Sequence, residues 1–115
     1  MQSTIILILT WINLSEPVDF DYFTCAVLYQ NQAYVGKPFK VPDTNNKAFP
    51  LNSNIINKVE SLVVKVGCVL TVHTDWRCGY NGWVQIFQAK DRNLFIGIPF
   101  DGQLFHKISC VRCYC

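Results

Sequence analysis

Phe49 to Val64 reads FPLNSNIINKVESLVV, and Ile98 to Cys113 reads IPFDGQLFHKISCVRC. Laid over one another without a gap, the two stretches keep their character position by position. Pro50 meets Pro99, Asn52 meets Asp101, Ser53 meets Gly102 and Asn54 meets Gln103. Ile55 and Ile56 meet Leu104 and Phe105, and Lys58-Val59 meets Lys107-Ile108. Turn formers face turn formers and apolar residues face apolar residues, which is the mark of a duplicated unit.

Upstream of each copy lies a short run of strand formers, CAVLY (Cys25–Tyr29) and CVLTVH (Cys68–His73). Each run is followed by Tyr-x-Gly, as Tyr34-Val35-Gly36 and Tyr80-Asn81-Gly82, with the second copy a few residues longer around Asp75–Gly79. A glycine inside a strand packs nothing and loses entropy, so these glycines are read as tight backbone turns. Each half therefore reads as strand, turn, strand, loop, strand. No segment sustains a helical period, and Pro38, Pro42, Pro50 and Pro99 break any long helix. One short helical turn is expected near Asn52–Lys58. The fold class is all-β, with repeats at about 25–66 and 67–115. Each repeat is expected to be one four-stranded Greek key, and the two to pack as a β-sandwich that hides their edges.

These residues resemble the βγ-crystallin superfamily, whose Greek key carries an aromatic, four residues, an aromatic, any residue and then glycine. Tyr29-x-x-x-x-Tyr34-x-Gly36 matches that pattern, and "NKVESLVV" and "HKISCVRC" resemble the family's later, Ser-containing strand. The resemblance implies a hairpin folded back over the sheet, with Gly36 and Gly82 as its permissive residues and Tyr29 and Tyr34 packed beneath. The second copy departs from the pattern: His73 stands at the first aromatic, and the spacing to Tyr80 is longer.

Many family members bind calcium through loops of the form Asn/Asp, Asn/Asp, two variable residues, Ser/Thr, Ser, because a hard cation takes oxygen ligands. The first loop here is Ile56-Asn57-Lys58-Val59-Glu60-Ser61, where Asn57, Glu60 and Ser61 are the weak calcium candidates. The second is Phe105-His106-Lys107-Ile108-Ser109-Cys110, where only Ser109 survives. Both loops are expected to be degenerate, and no other cofactor is expected.

The chain has 115 residues, half of them hydrophobic, which suits one packed domain. Residues 1–15, MQSTIILILTWINLS, carry no charge, and the apolar run from Ile5 to Leu14 is too short to span a bilayer. This segment is read as a signal peptide, followed by an acidic arm at 16–24 and the domain at 25–115. Six cysteines, Cys25, Cys68, Cys78, Cys110, Cys113 and Cys115, fit an exported, disulfide-stapled domain of any of 15 connectivities. Cys110, Cys113 and Cys115 lack the second close pair that a structural zinc site wants. The expected location is extracellular.

Net charge is +2, too small to suggest nucleic acid. Glu16, Asp19 and Asp21 take three of the eight acidic residues, which leaves five against all ten Lys and Arg in the remainder. His73 and Asp75 could share one strand face as an acid–base pair, but nothing marks a nucleophile. Their expected place is a strand end at the surface, and His106 is read as capping a strand entrance. The chain is expected not to be an enzyme. The unusual stretch is DWRCGYNGW (Asp75–Trp83), which crowds Trp76, Arg77, Tyr80 and Trp83 into one Gly-rich loop. Such residues are enriched at binding hot spots, whereas buried tryptophans would instead close the core. The expected role is a secreted structural or interaction module, as monomer or homodimer, with a protein, a glycan or an anionic surface as partner. The alternative is a defence or toxin-like protein that acts on an anionic cell surface through the Trp-rich loop.

Overall fold

The computed structural model describes residues 20–115, so the signal-peptide reading and residues 16–19 of the acidic arm lie outside the described residues. Among the described residues eight strands follow in order: β1 (Thr24–Tyr29), β2 (Phe39–Pro42), β3 (Phe49–Pro50), β4 (Ser61–Val64), β5 (Val69–His73), β6 (Val84–Gln88), β7 (Leu94–Gly97) and β8 (Cys110–Tyr114). They form two four-stranded sheets, ordered β2-β1-β4-β7 and β3-β8-β5-β6. Every pairing is antiparallel.

The sheets do not correspond to the repeats. Each repeat gives three strands to its own sheet and sends its third strand to the other: β3 pairs with β8, and β7 pairs with β4. Each repeat thus supplies the four strands of the expected Greek key, with its third strand lying in the partner sheet. Packing leaves β2 and β7, and β3 and β6, as sheet edges. The predicted turn near Asn52–Lys58 is a single helical turn, in which Ile56 N–H donates to Asn52 O at 2.8 Å and Lys58 N–H to Ile55 O at 3.0 Å.

The uninterrupted apolar runs of β1 and β4 follow from burial on both faces, since every residue of both strands is buried. Ala26, Leu28, Leu62 and Val64 face the other sheet, where they join Leu70, Val72, Val111 and Ile108 in the main core. Val27, Tyr29 and Val63 face outward and form a second cluster with Phe20 and Tyr34. That cluster is closed by the hairpin between β1 and β2, which folds back so that Tyr34 meets Tyr29 and Phe95 edge-on at 6.3 and 5.2 Å. The fold-back puts Tyr34 at φ 58° and Gly36 at φ 92°. A non-glycine residue in this region costs about 1–2 kcal/mol, which the aromatic contacts offset.

All six cysteines form disulfides: Cys25–Cys113, Cys68–Cys115 and Cys78–Cys110. Among the described residues the one cluster of three metal-capable groups is Cys25, Cys68 and Cys115, and all three sulfurs are already in these bridges. Three disulfides suit an oxidising environment. Cys25–Cys113 joins β1 to β8 across the two sheets at a sequence separation of 88. Replacing Cys25 and Cys113 together by alanine should cost about 2–5 kcal/mol, read from the midpoint of urea unfolding under oxidising conditions; an unchanged midpoint would remove this bridge from the account of stability.

Candidate functional site

The hairpin between β5 and β6 is built on the plan of the one between β1 and β2, but with different chemistry at its turning point. Tyr29 ends β1 and His73 ends β5. Five residues after each stands a non-glycine residue at φ 58°, namely Tyr34 and Cys78. The counterpart of Tyr34 is therefore Cys78, not Tyr80, and Tyr80 stands where the first hairpin has Gly36. The spacing to the turning residue is the same in both copies, and the extra length falls after it. Where Tyr34 is held by aromatic contacts, Cys78 is held by its bond to Cys110 on β8.

The rest of the hairpin is tied down by short polar groups. Asp75 Oδ1 accepts from Arg77 N–H at 3.0 Å, and Asp75 O from Cys78 N–H at 2.9 Å. Thr74 N–H donates to Trp83 O at 3.0 Å, and Thr74 Oγ1 accepts from Trp83 N–H at 2.9 Å. Thr74 O receives the Ser109 hydroxyl at 2.8 Å, and Cys78 O receives Arg112 Nη2 at 3.0 Å. These tight turns explain two glycines. A Cβ on Gly79 would lie 2.5 Å from Asp75 Oδ2, and one on Gly82 would lie 2.1 Å from Thr74 Oγ1. Gly82 thus gives room to a side chain rather than a left-handed backbone.

On this constrained frame the aromatic residues point outward. Trp76 is 60% exposed, Tyr80 75% and Trp83 57%. The Arg77 guanidinium carbon lies 4.7 Å from the centroid of the Trp76 ring. Neither Trp76 nor Trp83 closes the core.

His73 is fully buried, which corrects the expectation of a surface strand end. The hairpin covers it, with the Tyr80 ring edge-on at 5.6 Å. Its Nδ1–H donates to Gly79 O at 3.1 Å and not to Asp75, which lies beyond the strand and serves its own turn. Burial pushes the His73 imidazole below its ordinary value, the Gly79 carbonyl opposes that shift, and the Arg112 cation adds to it. The imidazole is held neutral and structural.

The three calcium candidates have different surroundings. Asn57 lies in a cleft of about 500 Å³ whose walls include Thr74, Asp75, Trp76, Arg77 and Ser109. Ser61 is buried, and its hydroxyl donates to Asn31 O in the first hairpin. Glu60 Oε2 lies 2.8 Å from His106 Nε2. In the ungapped repeat Asn57 matches His106 and Glu60 matches Ser109. The backbone agrees, since Asn57 and His106 both sit at left-handed φ, 59° and 55°. Residues from the two loops thus meet across the repeats: Asn57 with Ser109, and Glu60 with His106. Sequence reasoning confined to one loop missed this, and it missed Asp75 as a wall of the cleft.

No protein-family profile matches the chain, and no curated protein matches it significantly. Among solved structures it is similar to the N-terminal domain of Protein S, with a TM-score of 0.51 and 18% identity, over 77% of this chain and 93% of that one. At that identity the likeness establishes the fold, a β-sandwich of the βγ-crystallin type.

The buried imidazole makes stability depend on pH with a definite sign. Unfolded, His73 takes up a proton below about pH 6.5, whereas the folded chain resists it. The contribution is whole above that pH and is lost as pH falls toward the depressed folded value. Urea unfolding between roughly pH 7 and pH 5 should therefore show a fall in stability that is smaller in His73→Phe. Parallel pH profiles for the two proteins would contradict the assignment.

Proposed function

We propose that this protein is a secreted, non-catalytic, βγ-crystallin-like interaction module that recognises its partner through the hairpin from Thr74 to Trp83. One observation carries the reading: three large aromatic side chains are exposed on a loop held by a disulfide and a dense set of hydrogen bonds. Leaving such rings in water forgoes about 25 cal/mol for each Å² of apolar surface that burial would cover. A loop whose conformation is already fixed loses little entropy when a partner covers it. Tryptophan, tyrosine and arginine are also the residues that dominate binding energy where they are found at interfaces. The three disulfides and the uncharged residues 1–15 with their apolar run support export.

A second reading is defence at an anionic cell surface. It draws on the stacked Arg77–Trp76 pair, which offers a cation and an indole at one exposed point, a combination suited to a lipid headgroup layer. Both readings use the same side chains, and one experiment addresses both. Trp76→Ala with Trp83→Ala should leave the unfolding free energy within about 0.5 kcal/mol per site, as for other surface changes. The same variant should lose binding to whichever probe the wild type retains, a glycan array or phosphatidylserine-containing vesicles. Retention on the vesicles favours defence, and retention on glycans favours the module reading. A variant that unfolds several kcal/mol more easily, or binds undiminished, overturns the assignment of the hairpin.

The calcium loops are read as degenerate. Glu60, the one carboxylate of the first loop, is engaged by His106, and Ser61 Oγ is turned to Asn31 O. Calcium in excess over chelator should leave the melting temperature unchanged. A rise of about 10 °C would mean saturating binding worth about 2.7 kcal/mol and would restore a calcium-dependent module.

A further inference from the structure

Among the described residues the two sheets have four edges, and these are not protected alike. β3 is two residues long and ends in Pro50. β7 is covered at its end by Gln32, whose Nε2 donates to Ile98 O at 3.2 Å, and its Phe95 packs on Tyr34. β2 follows Pro38, ends in Pro42, and carries Lys40, which sits 3.4 Å from the Asp21 carboxylate. Short strands, prolines and lysines are the devices that keep sheet edges from pairing with other chains. β6 has none of them: its sequence, VQIFQ, holds no charge and no proline.

β6 is the counterpart of β2, and the register locates the difference. Val27, two residues before the end of β1, pairs with Lys40; Thr71, two residues before the end of β5, pairs with Ile86. Ile86 stands where the first repeat keeps its lysine, and it is 61% exposed. The hydrogen-bond pattern shows what the edge offers. Trp83 O accepts from Thr74 N–H, and Ala89 N–H donates to Cys68 O, both at 3.0 Å, so these two residues turn their polar groups inward to β5. The alternation of an antiparallel ladder then turns Gln85 and Phe87 inward, and Val84, Ile86 and Gln88 outward. This outward set is symmetric about Ile86.

We propose that β6 is a self-association edge, at which two copies of this chain pair antiparallel about a two-fold axis through Ile86. Ile86 then bonds to its own copy, and Val84 bonds to Gln88 of the second copy in both directions. The β3-β8-β5-β6 sheet continues into its mate as one eight-stranded sheet, and the interface is isologous. The two Ile86 side chains lie directly opposed and cover one another. No charge is desolvated, whereas the same pairing at β2 would oppose two Lys40 side chains. Because each strand enters from Trp83, the two aromatic hairpins lie at opposite ends of the joined strands.

Sedimentation equilibrium of the oxidised protein over micromolar to millimolar concentration tests the proposal, with Ile86→Lys, which copies the residue of the first repeat, as the variant. The expected result is a reversible dimer whose dissociation constant weakens about 100-fold or more in the variant, because like charges meet at the axis. Amide exchange on the wild type gives a readout independent of whether the variant folds. The Val84, Ile86 and Gln88 N–H groups should become protected as concentration rises, while Gln85 and Phe87 remain protected throughout. A monomer at every concentration, a dimer indifferent to Ile86→Lys, or exchange at those three amides that ignores concentration overturns the proposal.

Discussion

Neither repeat can complete its own sheet. β7 must reach β4, pairing Leu62 with Ile96 and Val63 with Phe95, and β3 must reach β8, pairing Phe49 with Val111. Until both exchanges are made, each half is three strands with a bare edge and an uncovered apolar face. The reciprocal exchange turns two similar sequences into one cooperative unit with a shared core drawn from both sheets. It also places the loop before β4 beside the loop before β8, which is why Asn57 and Ser109, or Glu60 and His106, meet although each pair is drawn from different repeats.

The duplication was legible because it is written in residue types. Pro50 and Pro99, Lys58 and Lys107, and the apolar runs between them align without a gap, and the structure keeps that alignment down to the left-handed backbone of Asn57 and His106. Strand exchange was not legible, since a run such as LFIG states that it is a strand but not which neighbour it takes. The match of Tyr80-Asn81-Gly82 to Tyr34-Val35-Gly36 misled because it followed side-chain identity. What the turn requires is one residue in left-handed conformation, and a half-cystine anchored to Cys110 meets that need as well as a packed tyrosine does. His73 looked like a surface group because it ends a strand, and only the fold-back of the hairpin buries it.

The two hairpins show how a duplicated frame is given to different tasks. In the first, Tyr34 lies down on the sheet and Gly36 leaves nothing projecting. In the second, Cys78 anchors the turn covalently, and the positions freed from packing carry Trp76, Arg77 and Tyr80 into solvent. The residues that distinguish the copies, Tyr34 against Cys78 and Lys40 against Ile86, fall on the outer faces of the sheets and at their edges, away from the shared core between them. The candidate site was visible in composition as a crowd of aromatics; that these side chains face outward depends on backbone geometry that composition does not record.

Each of the three bridges joins one of the earlier cysteines, Cys25, Cys68 or Cys78, to one of Cys110, Cys113 and Cys115. All three of the later partners lie on or just beyond β8. During synthesis, therefore, no native bridge can close until that strand has been made, and every earlier thiol must wait in reduced form or in a temporary wrong pairing. β8 is also the strand on which β3 and β5 pair, so hydrogen-bonded and covalent closure arrive together. The order of biosynthesis and the order of oxidation are thereby coupled, and a chain interrupted before Cys110 holds no native crosslink at all.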